Sequence, residues 1–326
     1  MLEARLPALA AQVTDALEAP TQLDQPPSPD VVVALRRCAH RLDREGFVSR
    51  PTWTDLRNGA RPLPPDFSEP GEWIQGWQFH ATSATEHHFR NSRVFPSLSD
   101  PGRALLRSHS GPNAAAALYG APSAPEYTTP PDRFRTLLLD RLQLPLELTH
   151  SRCECGAPLD AYGRHRAACN HSGRLKTRSV ASEVALARVC REAGARVQTN
   201  VFLRNLNVSP PVTDSRRIEV IATGLPCYGG AQLAVDITVR SPLTACGECR
   251  PQTAAVNGVV ANAARTSKED AYPELVSSNR CRLIVLAIET GGRWSDEAID
   301  FVGTLAAAKT RDAPTHTRAS SYYHYF

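Results

Sequence analysis

The sequence contains no apolar run of about 18 residues, the length that a membrane-spanning helix requires. Its first residues, Met1 to Pro7, lack the basic and then apolar build of a secretory signal peptide. Its nine cysteines are odd in number and unevenly spaced, unlike a secreted disulfide framework. We therefore expect a soluble intracellular protein with reduced thiols, some of them metal ligands.

The net charge is also small, only +4 over 326 residues. Residues 151–200 hold nine Lys or Arg against four Asp or Glu, and so carry +5 by themselves. Such a patch suits a polyanion such as DNA or RNA, although a solvated helix face has the same composition. The candidate nucleic-acid contacts are Arg164, Arg166, Arg174, Lys176, Arg178, Arg216 and Arg217.

The chain is long enough for more than one unit. Residues 1–130 are interrupted by Pro-rich segments and predict a mostly helical or irregular connector region. Residues 131–175 predict a helix followed by a Cys/His motif, residues 176–312 a folded domain, and residues 313–326 a flexible tail.

The pattern from residue 176 onward is typical of an α/β fold. A helix over Lys176–Ala193 ends at Gly194, and Ser295 is placed to cap a final helix. The predicted strands are Arg196–Leu203, Arg217–Ala222, Leu233–Val239 and Arg282–Ile288; the other predicted helices are Arg133–Leu144, Ala254–Ala271 and Ser295–Ala308.

Two of these strands each carry one acid within an otherwise apolar run, Glu219 and Asp236. A buried, unpaired carboxylate costs several kcal/mol, so a compensating group is expected. A metal ion is the favoured compensator. The structural alternative is that each acid faces solvent at a sheet edge or pairs with a nearby arginine, namely Arg216, Arg217 or Arg240.

A second candidate metal site lies upstream, where two cysteines, a histidine and a third cysteine follow the pattern C-x-C-x9-H-x3-C. Thiolates and imidazole are the ligands that tetrahedral Zn²⁺ prefers, and four of them form a closed structural site. The predicted zinc ligands are Cys153, Cys155, His165 and Cys169, with His171 as an alternative to His165. The pair Cys246 and Cys249 is a weaker candidate, because two further ligands are not close in sequence.

Acids on two strands followed by a lysine on a helix resemble the layout of PD-(D/E)xK nucleases. Thr238 stands at the usual lysine position, and Lys268 on the next helix can supply the ammonium group. The order of the Cys/His motif, basic helix, Arg216-Arg-Ile-Glu219 and Ala234-Val-Asp-Ile-Thr-Val-Arg240 resembles the C-terminal region of non-LTR retrotransposon proteins. That region combines a zinc knuckle with a restriction-enzyme-like endonuclease.

The resemblance implies a small mixed sheet flanked by helices, as in restriction endonucleases, over residues 176–312. It further implies that Glu219 and Asp236 bind catalytic Mg²⁺ or Mn²⁺ and that Lys268 stabilises charge, while Tyr272 and Glu183 assist. The sequence departs from the family's first acid, since Glu219 replaces Asp and Ile218 replaces Pro. Asp214 is an alternative first acid in the preceding loop.

Three functions are consistent with these patterns. The first is a metal-dependent endonuclease that nicks DNA in the nucleus, with RNA as an alternative partner. The second is a catalytically inactive nucleic-acid-binding remnant of the same kind of element, and the third is a zinc-stabilised structural fragment. No Tyr/Phe-x-Asp-Asp signature occurs, so the chain is not expected to be a reverse transcriptase.

Overall fold

This computed structural model describes residues 30–62, 76–111, 113–119, 128–148, 151–171 and 174–311, together with Ala11, Thr14 and Asp15. The predicted tail at residues 313–326 lies outside the described residues. The chain divides into two compact units, Met1–Leu98 and Ser99–Phe326.

The first unit is mostly helical in its described residues. Helix α2 begins with a capping box, in which Thr52 accepts the N–H of Asp55 and Asp55 accepts the N–H of Thr52. Its helices are α1 (Asp30–Arg44), α2 (Trp53–Arg57) and α3 (Trp77–Phe89), then a π-helical turn (Arg90–Val94) and α4 (Phe95–Ser97).

The second unit contains a sheet and most of the remaining helices. Its helices before the sheet are α5 (Asp100–Ser108), α6 (Ala116–Tyr119), α7 (Pro131–Arg141), α8 (Arg164–Ala168) and α9 (Arg174–Glu192). The sheet and its later helices are β1 (Arg196–Phe202), β2 (Arg217–Thr223), β3 (Gln232–Arg240), α10 (Val259–Ala271), α11 (Pro273–Val276), β4 (Cys281–Glu289) and α12 (Asp296–Thr310).

The four strands form one mixed sheet in the order β1-β2-β3-β4. The first two pairings are antiparallel, whereas β3 and β4 are parallel and are joined through α10 and α11. Parallel neighbours need such a crossover connection, which places helices over a face of the sheet. The predicted α/β class and the mixed sheet with flanking helices are therefore confirmed.

Helices cover both faces of this sheet. On one face, α9 and α12 pack against strand residues that include Val235 and Ile284. On the other face, α10 and α11 pack against residues that include Ala234 and Val285. Along each strand, alternate side chains enter the cores on opposite faces of the sheet. The two central strands, β2 and β3, are therefore buried on both faces, which explains their mostly apolar sequences.

Most element boundaries shift by one to three residues from the sequence predictions, and two differ more. Helix α10 begins at Val259 rather than Ala254, because Gly258 adopts a left-handed backbone with φ of 73° and residues 250–257 form consecutive turns. The second unit begins at Ser99, so α5 belongs with the sheet and not with a connector reaching residue 130. The side-chain oxygen of Ser108, on α5, accepts a hydrogen bond from the N–H of Gly291 in the loop after β4, at 3.0 Å. This contact attaches α5 to the sheet.

Replacing Phe301 with alanine is expected to lower the free energy of unfolding of the second unit by about 3–5 kcal/mol. Phe301 is fully buried under the sheet, and truncation leaves a cavity that the strands cannot fill. Denaturant unfolding measures the change. The matched control is Phe134→Ala on α7, where the ring is 37% exposed and the expected loss is under about 1 kcal/mol. Equal losses in the two variants would contradict the described core.

Candidate active site and metal centre

Glu219 and Asp236 stand opposite each other on neighbouring strands. The antiparallel ladder between β2 and β3 ends at Val220 and Val235. One step further in the same register, Glu219 faces Asp236, and directly opposed residues project from the same face of a sheet. The N–H of Ile237 donates to Glu219 Oε2 at 3.3 Å, which holds this carboxyl group against β3.

The strand on the other side of β2 is also interrupted at this level. Asn200 lies in register with Glu219, between two paired residues of β1, but it has a left-handed φ of 57° and no ladder partner. Asparagine tolerates this conformation better than most residues. Both ladders beside β2 are therefore broken at Glu219. The sequence did not predict this interruption at Asn200, because a pattern of apolar residues contains no information about the φ angle of one residue.

Lys268 on α10 reaches the buried acid of β3. Its Nζ lies 2.6 Å from Oδ1 of Asp236 and donates to Oδ2 at 2.8 Å. Asp236 is completely buried, whereas the lysine side chain keeps 22% of its surface exposed. Among the described residues, Oδ1 of Asp236 accepts no hydrogen bond of good geometry. The ammonium therefore contacts both oxygens of this buried carboxylate, although only the contact at Oδ2 has good hydrogen-bond geometry.

The electrostatics at Glu219 favour a bound proton. Burial, and then the negative charge of Asp236, raise the pKa of Glu219 to about 8, against the opposing effect of Lys268. Glu183 on α9 adds a smaller contribution in the same direction. Tyr272 lies beside the pair, and burial followed by the charge of Asp236 raises its pKa as well. Its hydroxyl donates to the carbonyl of Arg217 at 3.2 Å.

The donor set fits a hard divalent cation. Mg²⁺ is bound through carboxylate oxygens, and this site offers two opposed carboxyl groups on neighbouring strands. A cation would displace the proton of Glu219 and take the position beside Asp236 that the ammonium of Lys268 now occupies. The residues present therefore fit Mg²⁺ or Mn²⁺.

The structure separates the alternative first acid from this cluster. Asp214 accepts from the guanidinium of Arg216, which also pairs with Glu274 at 2.6 Å. Hydrogen bonds from Arg216 lower the pKa of Asp214, so this acid is ionised and satisfied where it stands. Of the two possible first acids, only Glu219 faces Asp236.

The four predicted zinc ligands come together. The ligand atoms of Cys153, Cys155, His165 and Cys169 all lie within 4.8 Å of one another, so this cluster can hold a metal ion such as zinc. Sγ of Cys155 is 3.3 Å from Nε2 of His165, and Sγ of Cys153 is 3.8 Å from Sγ of Cys169. His171 is exposed and is not part of the cluster, so the structure selects His165.

Local hydrogen bonds explain why these side chains converge. The N–H of Gly156 donates to the carbonyl of Cys153 at 2.9 Å, which closes a tight turn, and Gly156 has φ of 87°. The carboxylate of Asp160 accepts the N–H of His165 at 2.8 Å and the N–H of Arg164 at 3.1 Å, and so begins α8. The turn and the helix thereby present their ligands to one point.

A contact from outside the motif orients its histidine. Nδ1 of His165 lies 2.9 Å from the carbonyl oxygen of Ala245. Because a carbonyl only accepts, Nδ1 carries the proton and Nε2 keeps its lone pair toward the thiols, as in many zinc sites. The pKa of Cys153 is lowered to about 7, and the largest cause is a hydrogen bond from the backbone of Cys155. Both features favour the ligating forms of these side chains.

Ala245 belongs to a second turn of the same kind. The N–H of Gly247 donates to the carbonyl of Thr244 at 3.0 Å, with φ of 82° at this glycine. This turn carries Cys246 and Cys249, which join no cluster of three or more metal-ligand side chains within the described residues. The turn that carries the second cysteine pair therefore contacts the zinc motif, Cys153 to Cys169, through the backbone carbonyl of Ala245. The repeated Cys-Gly dipeptide was the available sequence signal.

The predicted nucleic-acid contacts have different surroundings. Arg216 is engaged by two acids, so its charge is locally neutralised. Arg164 donates to Gln143 at 3.0 Å, and Arg217 lies over the ring of Phe202 at 3.8 Å. Arg166 is half-buried on α8. The side chains of Arg174, Lys176 and Arg178 lie outside the described residues.

No protein-family model matches the chain, and no curated protein matches it. Within the ranges that the structure describes, none of the helices combines the length and apolar character needed to cross a bilayer. Function must therefore be inferred from the geometry and chemistry of the site.

Proposed function

We propose that this chain is a divalent-metal-dependent DNA endonuclease related to the restriction-enzyme-like region of retrotransposon proteins, with a nuclear location following from that substrate. The observation that carries this proposal is the buried carboxylate of Asp236, which faces Glu219 on the neighbouring strand and pairs with Lys268 at 2.6 Å. A carboxyl group with a strongly raised pKa beside a second carboxylate and a lysine, as at Glu219, is typical of a functional site.

Each side chain has a distinct part in phosphodiester hydrolysis. Glu219 and Asp236 hold Mg²⁺ or Mn²⁺, which when bound polarises the phosphate and lowers the pKa of an attacking water. Lys268 supplies a positive charge at the same place, where negative charge develops on the phosphate oxygens. Tyr272 packs beside Lys268, with the ammonium 5.9 Å from the ring centroid, and restricts its position. Glu183 adds negative charge beside Glu219.

The alternative is a catalytically inactive nucleic-acid-binding protein. The ion pair between Lys268 and Asp236 favours it, because the ammonium already contacts both carboxylate oxygens. In this case DNA binding would be strongly salt-dependent, without strand cleavage at any concentration of divalent ions.

Conversion of supercoiled plasmid to the open circle tests the two functions directly. The full chain, loaded with zinc, is incubated with plasmid and either Mg²⁺ or Mn²⁺. Nicking that requires the divalent ion supports the endonuclease. Binding without nicking supports the inactive alternative and overturns the proposed activity.

Metal dependence is expected to change with pH. Below pH 8 Glu219 is largely protonated, since its pKa is raised to about 8, and occupation of the site releases that proton. The metal concentration that gives half-maximal nicking should fall by up to about tenfold between pH 6 and 7, and again toward pH 8. Glu219→Gln, which carries no titrating proton but also removes a metal ligand, should lower nicking strongly, and its direct binding of Mn²⁺, measured by calorimetry, should not change with pH between 6 and 8. A half-saturating concentration that stays constant from pH 6 to 8 would contradict the role of Glu219.

A further inference from the structure

A cavity of about 460 Å³ lies between the zinc motif and the C-terminal end of β3. We name it the Arg240 cavity. Its first wall comes from β3 and the loop after it, including Arg240, Ser241 and Arg250. Its second wall comes from α8, the following Asn170, and Ser179 of α9.

The lining of the Arg240 cavity is cationic. Two guanidinium groups line it together with hydroxyl and amide side chains, and no carboxylate is among its described lining residues. Like charges that share a cavity repel each other, so a bound anion would stabilise the arrangement.

The two arginines retain free donors. Nε of Arg250 donates to the carbonyl of Ser241 at 2.9 Å, which anchors the side chain and leaves its terminal nitrogens available. Arg240 is half-buried, and its guanidinium makes no hydrogen bond or ion pair with the described residues. A guanidinium presents paired N–H donors that match two oxygens of a phosphate.

The Arg240 cavity adjoins the proposed site along a single strand. Asp236 and Arg240 are four positions apart on β3, a distance of about 13 Å at the rise of a β-strand. Beyond Val235, β3 has no ladder pairing with β2. A phosphate in the Arg240 cavity would therefore lie only a few nucleotides from a phosphate held at Asp236.

We propose that the Arg240 cavity binds a backbone phosphate of the DNA strand, a few nucleotides from the phosphate that is cleaved. This inference rests on the proposed function and deepens it by assigning a second contact with the same substrate. The zinc motif forms one wall of this subsite, and so contributes to DNA binding through the shape of the cavity.

Fluorescence anisotropy with a short labelled DNA duplex tests the subsite. The zinc-loaded full chain is titrated without added divalent ions, between 50 and 200 mM salt, so that binding is measured without cleavage. Each lost phosphate contact reduces the slope of log K against log salt by about 0.9. Arg240→Gln should lower the slope by up to that amount and weaken binding about tenfold, and the double variant with Arg250→Gln should lower the slope by no more than that amount, because both arginines contact one phosphate.

Two further variants separate position from charge. Arg280→Gln removes an exposed arginine just before β4, at the opposite end of the β3–β4 pair, and should leave the slope unchanged. Arg240→Lys should restore the slope while recovering only part of the affinity. An unchanged slope in the Arg240→Gln variant, or an equal loss with Arg280→Gln, overturns the subsite.

The outcome is distinguishable from failure of the proposed activity. If the wild-type protein binds DNA with the predicted slope change but never nicks plasmid, the phosphate subsite stands and the endonuclease fails. If nicking is observed and Arg240→Gln leaves binding and salt dependence intact, the subsite fails and the endonuclease stands. Failure of the wild-type protein to bind DNA overturns both.

Discussion

Asp236→Asn is expected to reduce the rate of plasmid nicking by about 10³-fold or more. The amide keeps the shape of the side chain but cannot supply the negative oxygen that holds a divalent cation. The same change removes the ionic partner of Lys268, which is 2.6 Å away, so the local charge balance is lost as well. Time courses with Mg²⁺ and with Mn²⁺ measure the effect.

Asp214→Asn is the informative control for this substitution. Asp214 was the alternative first acid, and it pairs with Arg216 away from Asp236. Its replacement should change the nicking rate by less than about tenfold, as expected for a group outside the transition-state contacts. Thermal melting of both variants verifies that they are folded. Undiminished nicking by the Asp236→Asn protein would refute the endonuclease assignment.

Cys169→Ser is expected to remove bound zinc and to unfold the zinc motif locally. Structural zinc sites contribute on the order of 10 kcal/mol of apparent binding free energy, which a motif of about 20 residues cannot replace through its own core. Elemental analysis should give one zinc ion per wild-type chain and none in the variant. Hydrogen exchange over residues 151–171 should become much faster.

The matched control is Cys246→Ser. Cys246 is a cysteine on the neighbouring turn, which contributes a backbone carbonyl but no ligand to the cluster. Its replacement should leave the zinc content and hydrogen exchange close to those of the wild-type protein. A wild-type protein without zinc, or equal zinc loss in both variants, would contradict the proposed ligands.

Much of the architecture could be predicted from local patterns. The strands of Glu219 and Asp236 were evident because buried strands are apolar and bounded by turn residues. The Cys/His cluster that can hold a metal ion was evident because thiols and imidazole occur at short spacing. The convergence of Lys268 with Asp236 followed only from a fold-level resemblance, since no local rule brings residues so far apart in sequence into contact.

Other features depend on distant contacts and left no comparable signal. Arg216 looked like a nucleic-acid contact, but its actual partners include Glu274, far along the chain. Helix α5 looked like part of a connector, but Ser108 binds the turn at Gly291. Such partners cannot be predicted from composition, because the residue type is the same whether its charge or hydroxyl contacts solvent or a distant residue.

The hydrogen bond between His165 and Ala245 links the Cys/His motif to the loop after β3. The sequence suggested that residues 131–175 form a unit of their own, yet the acceptor that sets the tautomer of His165 comes from the loop after β3. A peptide that spans only residues 131–175 would contain every ligand and still lack this acceptor. The Cys/His motif therefore uses an acceptor that lies outside its own segment, and a motif transplanted alone would need another group to fix the tautomer of His165.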